Sequence, residues 1–129
     1  MQHALIIDDS STARMYYREV LEEAGFAVEE AINGFEGLEK AMSETFDVML
    51  VDVNMPKMDG YAFLGELRRA PEIQGVPAIM ISTEARAADR VKAYAAGANF
   101  YLVKPVDPAE LAACARLVTG QAPSQQAPA

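Results

Sequence analysis

Apolar residues gather in five short runs, four of which stop abruptly on polar side chains. His3-Ala4-Leu5-Ile6-Ile7 ends on Asp8 and Asp9, and Val48-Met49-Leu50-Val51 ends on Asp52. Ala78-Ile79-Met80-Ile81 stops at Ser82-Thr83-Glu84, and Asn99 to Val103 stops at Lys104-Pro105. Phe26 to Ala31 is a shorter run. Apolar runs without alternation suit parallel strands buried on both faces. Pro56 and Gly60 cannot continue the third strand, which places Asp52 at its carboxyl end.

Between the runs the spacing turns helical. From Ala13 onward, Tyr16, Tyr17, Val20, Leu21 and Ala24 recur on one face, with Ser10, Ser11 and Thr12 as N-cap candidates and Gly25 as the stop. Gly34 to Met42 forms a weaker helix with Leu38, Ala41 and Met42 as its inner face. Tyr61 to Arg69 is a third, followed by a loop marked by Pro71, Gly75 and Pro77. An alanine-rich helix runs from Ala87 to Ala96 and ends at Gly97, and Pro108 opens a last helix reaching Thr119. Residues 1–119 therefore make one domain. The uncharged tail 120–129, rich in Gln, Ala and Pro, is expected to be disordered.

Strands alternating with helices predict an α/β fold, a doubly wound parallel sheet of the (βα)5 type with helices on both faces. Right-handed crossovers put every strand's carboxyl end on one edge, the edge where open α/β sheets bind ligands. Asp8, Asp9, Asp52, Ser82 and Lys104, scattered in sequence, converge there.

Composition narrows the field. The 129 residues are 51% hydrophobic and 23% charged, ordinary for a globular domain. The formal net charge of −8 argues against a nucleic-acid surface. No apolar run approaches the roughly 20 residues of a membrane span, and the N-terminus lacks the order of a signal peptide. A single cysteine, Cys114, excludes an internal disulfide. These features fit a cytoplasmic monomer with transient partners and no membrane insertion.

Taken singly, the edge residues are unremarkable. Asp8 and Asp9 suit a turn, Ser82 a backbone contact, Lys104 solvent. Together they pose a charge problem, because one lysine cannot balance three aspartates. A divalent cation can, and an all-oxygen donor set with room for water favours Mg2+. Metal, ammonium and the Ser82 hydroxyl would then bind a tetrahedral phosphoryl group, with Asp52 as an in-line nucleophile that becomes an aspartyl phosphate.

At Ile7-Asp8-Asp9-Ser10, Asp52 through Asn54-Met55-Pro56 to Gly60, Ile81-Ser82-Thr83, Ala96-Gly97-Ala98 and Val103-Lys104-Pro105, the sequence resembles the receiver domains of two-component response regulators. Thr83-Glu84-Ala85 and Tyr101 bring it nearest to the chemotaxis regulators of the CheY type. The resemblance covers Leu5 to Leu117. It implies the flavodoxin-like strand order 2-1-3-4-5, the order of CheY and flavodoxin themselves. It also implies that Asp52 takes a phosphoryl group from a CheA-like histidine kinase or a histidine phosphotransfer protein. Asp9, Asp52 and the backbone carbonyl of Asn54 would ligate magnesium, with Asp8 acting through bound water. Lys104 would hold the phosphoryl oxygens, after which comes a cis peptide to Pro105. Ser82 would move toward the phosphoryl group and Tyr101 would turn inward, altering the surface of the fourth helix, fifth strand and fifth helix. Serine stands at 82 where threonine is commoner. The resemblance also implies that Asn54 and Glu84 would flank the approach of the hydrolytic water, and with these side chains a short-lived phosphoryl group is expected.

Other residues have simpler readings. His3, the one histidine, opens a strand and reads as structural; Cys114 reads as a small core residue. Arg14 and Arg18 share a helix face, either solvated or used in kinase docking. The alanine-rich fourth and fifth helices suit either plain helix propensity or a smooth partner surface, with the second preferred. A flavodoxin needs a Ser/Thr/Gly phosphate loop after the first strand, where Asp8-Asp9 would repel the ligand. A haloacid-dehalogenase-like phosphatase needs an acid two residues after its nucleophile, and Asn54 stands there. The expectation is therefore a switch, not an enzyme on outside substrates. With no effector after Leu117, its output is expected through a phosphorylation-dependent target such as a flagellar motor switch component. The alternative is a phosphorelay intermediate or phosphate sink.

Overall fold

Alternate residues of the apolar runs face opposite sides of one five-stranded parallel sheet, which is why the runs carry no polar alternation. The computed structural model describes residues 1–120. The expectation of a disordered tail falls, apart from Gly120, outside them. In chain order the elements are β1 (Gln2–Ile7), α1 (Ser11–Glu23), β2 (Phe26–Ala31), α2 (Gly34–Ser43) and β3 (Val48–Asp52). They continue with α3 (Gly60–Arg69), β4 (Ala78–Ser82), α4 (Ala87–Ala96), β5 (Phe100–Val103) and α5 (Pro108–Val118). The sheet order is β2-β1-β3-β4-β5, as expected.

Leu5, Ile7, Met49, Val51 and Met80 pack on one face with Phe63, Leu64 and Leu67 of α3, Ala41 of α2 and Ala93 of α4. Ala4, Ile6, Leu50, Ile79 and Ile81 pack on the other with Tyr17 and Leu21 of α1 and Leu111 and Ala115 of α5. Each fully buried Leu, Ile or Phe contributes about 1.5–3 kcal/mol, so these two layers carry the stability. Register fixes the edge: Ile7 pairs with Val51, Asp52 with Ile81 and Ser82 with Val103. Among the described residues, no helix is long and apolar enough to cross a membrane.

The helix boundaries follow their caps. Ser10 Oγ accepts the Ala13 amide at 3.2 Å, so of the three N-cap candidates Ser10 is the cap and α1 begins at Ser11. Asp59 and Asp107 cap α3 and α5 in the same way. Gly25 has φ +98, the left-handed geometry that ends α1. In α2 the expected inner face needs correction. Met42 is 54% exposed, and the buried positions are Gly34, Gly37 and Ala41. The helix lies too close to the sheet for a larger side chain: a Cβ on Gly37 would stand 2.8 Å from Ile7 Cδ1. Tyr16, expected on the inner face of α1, sits at its edge and donates its hydroxyl to the Val106 carbonyl at 2.8 Å.

Candidate functional site

The carboxyl ends of β1, β3, β4 and β5 meet as the sequence requires. Asp52 closes the central strand and is 4% exposed. The backbone around it is pinned on both sides. Val53 N–H donates to the Ile81 carbonyl at 3.0 Å, and Gly60 N–H returns to the Val53 carbonyl at 2.9 Å. Gly60 is required there, because a Cβ would stand 2.7 Å from the Asp52 carbonyl oxygen and 2.9 Å from Val53 Cα. Between them the chain makes a γ-turn, with Met58 N–H donating to the Pro56 carbonyl at 2.8 Å and Lys57 at φ +70. That positive φ is a strained choice for a residue with a side chain.

Three carboxylates converge. One oxygen each of Asp8, Asp9 and Asp52 lies within 4.8 Å of the others. Asp8 is 1% exposed, Asp9 is exposed. Lys104 approaches from β5 and donates from Nζ to Asp52 Oδ1 at 3.1 Å, and the peptide to Pro105 is cis. Burial pushes the Asp52 carboxyl above its usual range; the Lys104 hydrogen bond and charge pull it down, while Asp9 pushes it up. Burial raises Asp8 as well, against the Ser10 amide that lowers it. That amide donates to Asp8 Oδ1 at 2.9 Å, whereas Asp8 Oδ2 is buried with no hydrogen-bond partner among the described residues.

An unpartnered carboxylate oxygen in a trio of acids is costly unless a cation meets it. The donors are hard oxygens, and the cluster is open through Asp9, so the residues fit a small divalent ion such as magnesium. Arg14 does not fill that need, since its guanidinium bonds to other groups. It donates to the Asp8 backbone carbonyl at 2.8 Å and to Glu30 at 2.8 Å, and Arg18 reaches the same Glu30 at 2.6 Å. The two arginines are therefore not simply solvated; both are paired with Glu30 on β2. Their hydrogen bonds, with Arg18 first, hold the Glu30 carboxyl below its ordinary range.

The remaining expected residues divide. Ser82 is buried at the end of β4, its Oγ accepting the Glu84 amide at 3.1 Å. A hydroxyl that accepts there keeps its proton free to donate into the pocket. Asn54 is exposed, and its backbone amide helps lower the Asp52 carboxyl. The Glu84 side chain is 55% exposed, with Arg86 at 3.5 Å. Tyr101 is already turned inward, 3% exposed, with its hydroxyl donating to the Glu84 carbonyl at 2.7 Å. Arg90, which carries no motif, joins the set. Its guanidinium lies 5.4 Å from the Tyr101 ring centre and donates to the Tyr101 carbonyl at 3.1 Å. No spacing signal betrays that contact, because it joins α4 to β5 through space.

Comparison with known proteins agrees with this geometry. The response regulator receiver domain model matches residues 4–116. The sensor histidine kinase CheAY of Helicobacter pylori is 41% identical over 103 residues, a match covering 78% of this chain. The chain spans 13% of that kinase's length. Other relatives bear the names of transcriptional regulators. Chemotaxis protein CheY4 of Vibrio cholerae superposes with a TM-score of 0.86 at 36% identity, covering 92% of this chain and 98% of that one. The receiver domain of a sensor histidine kinase from Pseudomonas aeruginosa, solved with magnesium coordinated in its active site cleft, gives 0.85 at 28% identity. That match covers 93% of this chain and 98% of the solved domain.

Proposed function

The chain belongs to the response regulator receiver family, and from that membership we propose that it is a signalling switch phosphorylated on Asp52. The observation that carries the reading is the Asp52 carboxylate, buried, pinned at the end of the central strand, paired with Lys104 and set against Asp8 and Asp9. In the proposed reaction an Asp52 oxygen attacks the phosphorus of a phosphohistidine in line. The nitrogen–phosphorus bond breaks as the acyl phosphate forms. Asp9, Asp52 and the Asn54 carbonyl would hold magnesium, with Asp8 contributing through water; the Pseudomonas domain supports the choice of ion. When bound, magnesium neutralises charge on the carboxylates and on the phosphoryl oxygens. Lys104 Nζ and the Ser82 hydroxyl receive the remaining oxygens.

The donor is a CheA-like histidine kinase or a histidine phosphotransfer protein in the cytoplasm. The output is a changed α4-β5-α5 surface on a monomer, read by a protein target. Chemotaxis, with a flagellar motor switch component as target, is the reading supported by the likeness to CheY4 and by Tyr101 and Glu84 at their places. Incubation with a small acyl phosphate should add one phosphate by intact mass only when magnesium is present, and none to Asp52→Ala. An adduct that survives the substitution overturns the assignment. A pull-down comparing the magnesium–beryllofluoride form with the unmodified protein then separates motor output from relay: binding to the motor switch component supports the first, binding to a phosphotransfer protein alone the second.

A further inference from the structure

Tyr101 is held inward by contacts that do not pass through the acidic pocket. Its hydroxyl donates to the Glu84 carbonyl at 2.7 Å. Its ring lies under the Arg90 guanidinium at 5.4 Å, and its backbone carbonyl, on the edge strand β5, accepts from Arg90 Nη1 at 3.1 Å. Arg90 thus touches both the ring and the backbone of one residue, from an exposed position on α4. The next cation on that helix, Lys92, sits 4.2 Å from the ring centre of Tyr61 instead. Glu84 joins the tyrosine to the pocket: its amide is held by Ser82 Oγ and its carbonyl by the Tyr101 hydroxyl. Whatever engages the Ser82 hydroxyl therefore acts on the same short segment that the tyrosine holds.

We propose that Arg90 is a positioning residue that clamps Tyr101 inward independently of Asp52, so that phosphorylation completes a conformation the chain already favours. The clamp itself stands on these contacts; its link to phosphorylation rests on the assignment of Asp52. The physical source is twofold. A cation over an aromatic face attracts the ring, and a forked guanidinium can meet the ring and the carbonyl together. A lysine at 90 keeps the charge but not the fork, and an alanine keeps neither. Because the clamp and the beryllofluoride-loaded site favour the same tyrosine position, each must strengthen the other by the same factor.

The test uses the full chain labelled with 3-fluorotyrosine, the Tyr101 fluorine signal being assigned with Tyr101→Phe. In wild type that signal should be shielded from a soluble paramagnetic probe. Arg90→Ala should raise the exposed population by roughly two- to fivefold, the scale of one exposed cation–π contact, because the bond to the Tyr101 backbone carbonyl does not depend on where the ring points. Arg90→Lys should lie between, and Lys92→Ala, which touches Tyr61, should leave the Tyr101 signal in place. Magnesium with beryllofluoride should return the Arg90→Ala signal to the shielded position, and its half-saturating concentration should be higher than for wild type. A Tyr101 signal unchanged in Arg90→Ala, or moved equally by Lys92→Ala, overturns the clamp. A signal that moves in Arg90→Ala yet ignores beryllofluoride in both proteins leaves the clamp standing and overturns the role of Asp52.

Discussion

Replacing Asp8 by asparagine should make the metal-free protein more stable while removing most of its response to magnesium. Two unit charges at 4.8 Å, the outer limit among these three carboxylates, repel by about 3.5 kcal/mol at an effective dielectric of 20. Asp8 faces two such neighbours and one compensating lysine, so roughly one repulsion survives. Its unpartnered Oδ2 adds about 1–3 kcal/mol of uncompensated burial. Against this, an amide oxygen accepts the Ser10 N–H about 1 kcal/mol less strongly than a carboxylate does. An amide nitrogen in place of Oδ2 could donate to the neighbouring acids. A net gain on the order of 1–3 kcal/mol at pH 7 follows once solvent relaxation around Asp9 is allowed for.

Because the chain has no tryptophan, urea unfolding is followed by far-ultraviolet circular dichroism, in chelator and in magnesium. Magnesium at 100 times its Kd should add about 2.7 kcal/mol to wild type and far less to Asp8→Asn. The pH dependence has a definite sign. The folded-state Asp8 carboxyl is raised, mainly by burial, so its cost is absent below the unfolded value of about 3.9. That cost grows as pH climbs toward the folded value and is fully present above it. The advantage of asparagine should therefore vanish in acid. A variant less stable than wild type in chelator, or equal magnesium increments in the two proteins, would refute the reasoning.

Further outcomes can be checked. Gly60→Ala should cost about 1–3 kcal/mol in urea unfolding, because the new methyl meets the backbone of Asp52 and Val53, which cannot give way as the Met80 side chain beside them can. Glu30→Gln should lose about 1 kcal/mol at pH 7 by releasing Arg14 and Arg18. With the Glu30 carboxyl lowered in the fold, that loss should fade as pH falls through the folded value. For the phosphorylated protein, Glu84→Arg and Asn54→Lys should slow phosphate release at saturating magnesium by crowding the water's approach. Unchanged rates in both would defeat the short-lifetime expectation. Native-state hydrogen exchange should show the amides of α4 opening before those of α3.

The sheet and the acidic cluster were legible because both are written in local pattern. An uninterrupted run such as Val48 to Val51 has no polar face to offer solvent, and a carboxylate at its end can only lie on the sheet's edge. Composition and spacing give the set Asp8, Asp9, Asp52, Ser82 and Lys104; the strand order came from resemblance. Close approach was not legible. Met42 looked like an inner residue by periodicity, but Gly34 and Gly37 let α2 settle so near Ile7 and Met58 that the buried stripe rotated onto the glycines. Nor was tertiary pairing visible. Arg14 and Arg18 announced a helix face, yet what they meet is Glu30 on a strand after the next turn.

The two flanks of Asp52 differ in what it costs to move them, and that difference gives the site a direction. Toward α3, Gly60 is locked against the strand end, and Phe63, Leu64 and Leu67 are fully buried, together about 5–9 kcal/mol of anchoring. Toward α4, the buried set is Ala93, about 1 kcal/mol, and the N-cap residue Arg86 makes no side-chain cap bond. What holds α4 in addition is polar and exposed: Arg86 with Asp89, Arg90 on Tyr101 and Lys92 on Tyr61. Polar contacts of that kind are individually worth about 1 kcal/mol or less, and salt screens their charged part. A charge added at Asp52 pulls on Ser82, the last residue of β4, and on Lys104, the first residue past β5. The strand on the α3 side cannot yield without emptying the core. In the proposed switch the displacement is therefore taken up by the segment from Ser82 to Glu84 and by α4 behind it, around a Tyr101 that is already inward.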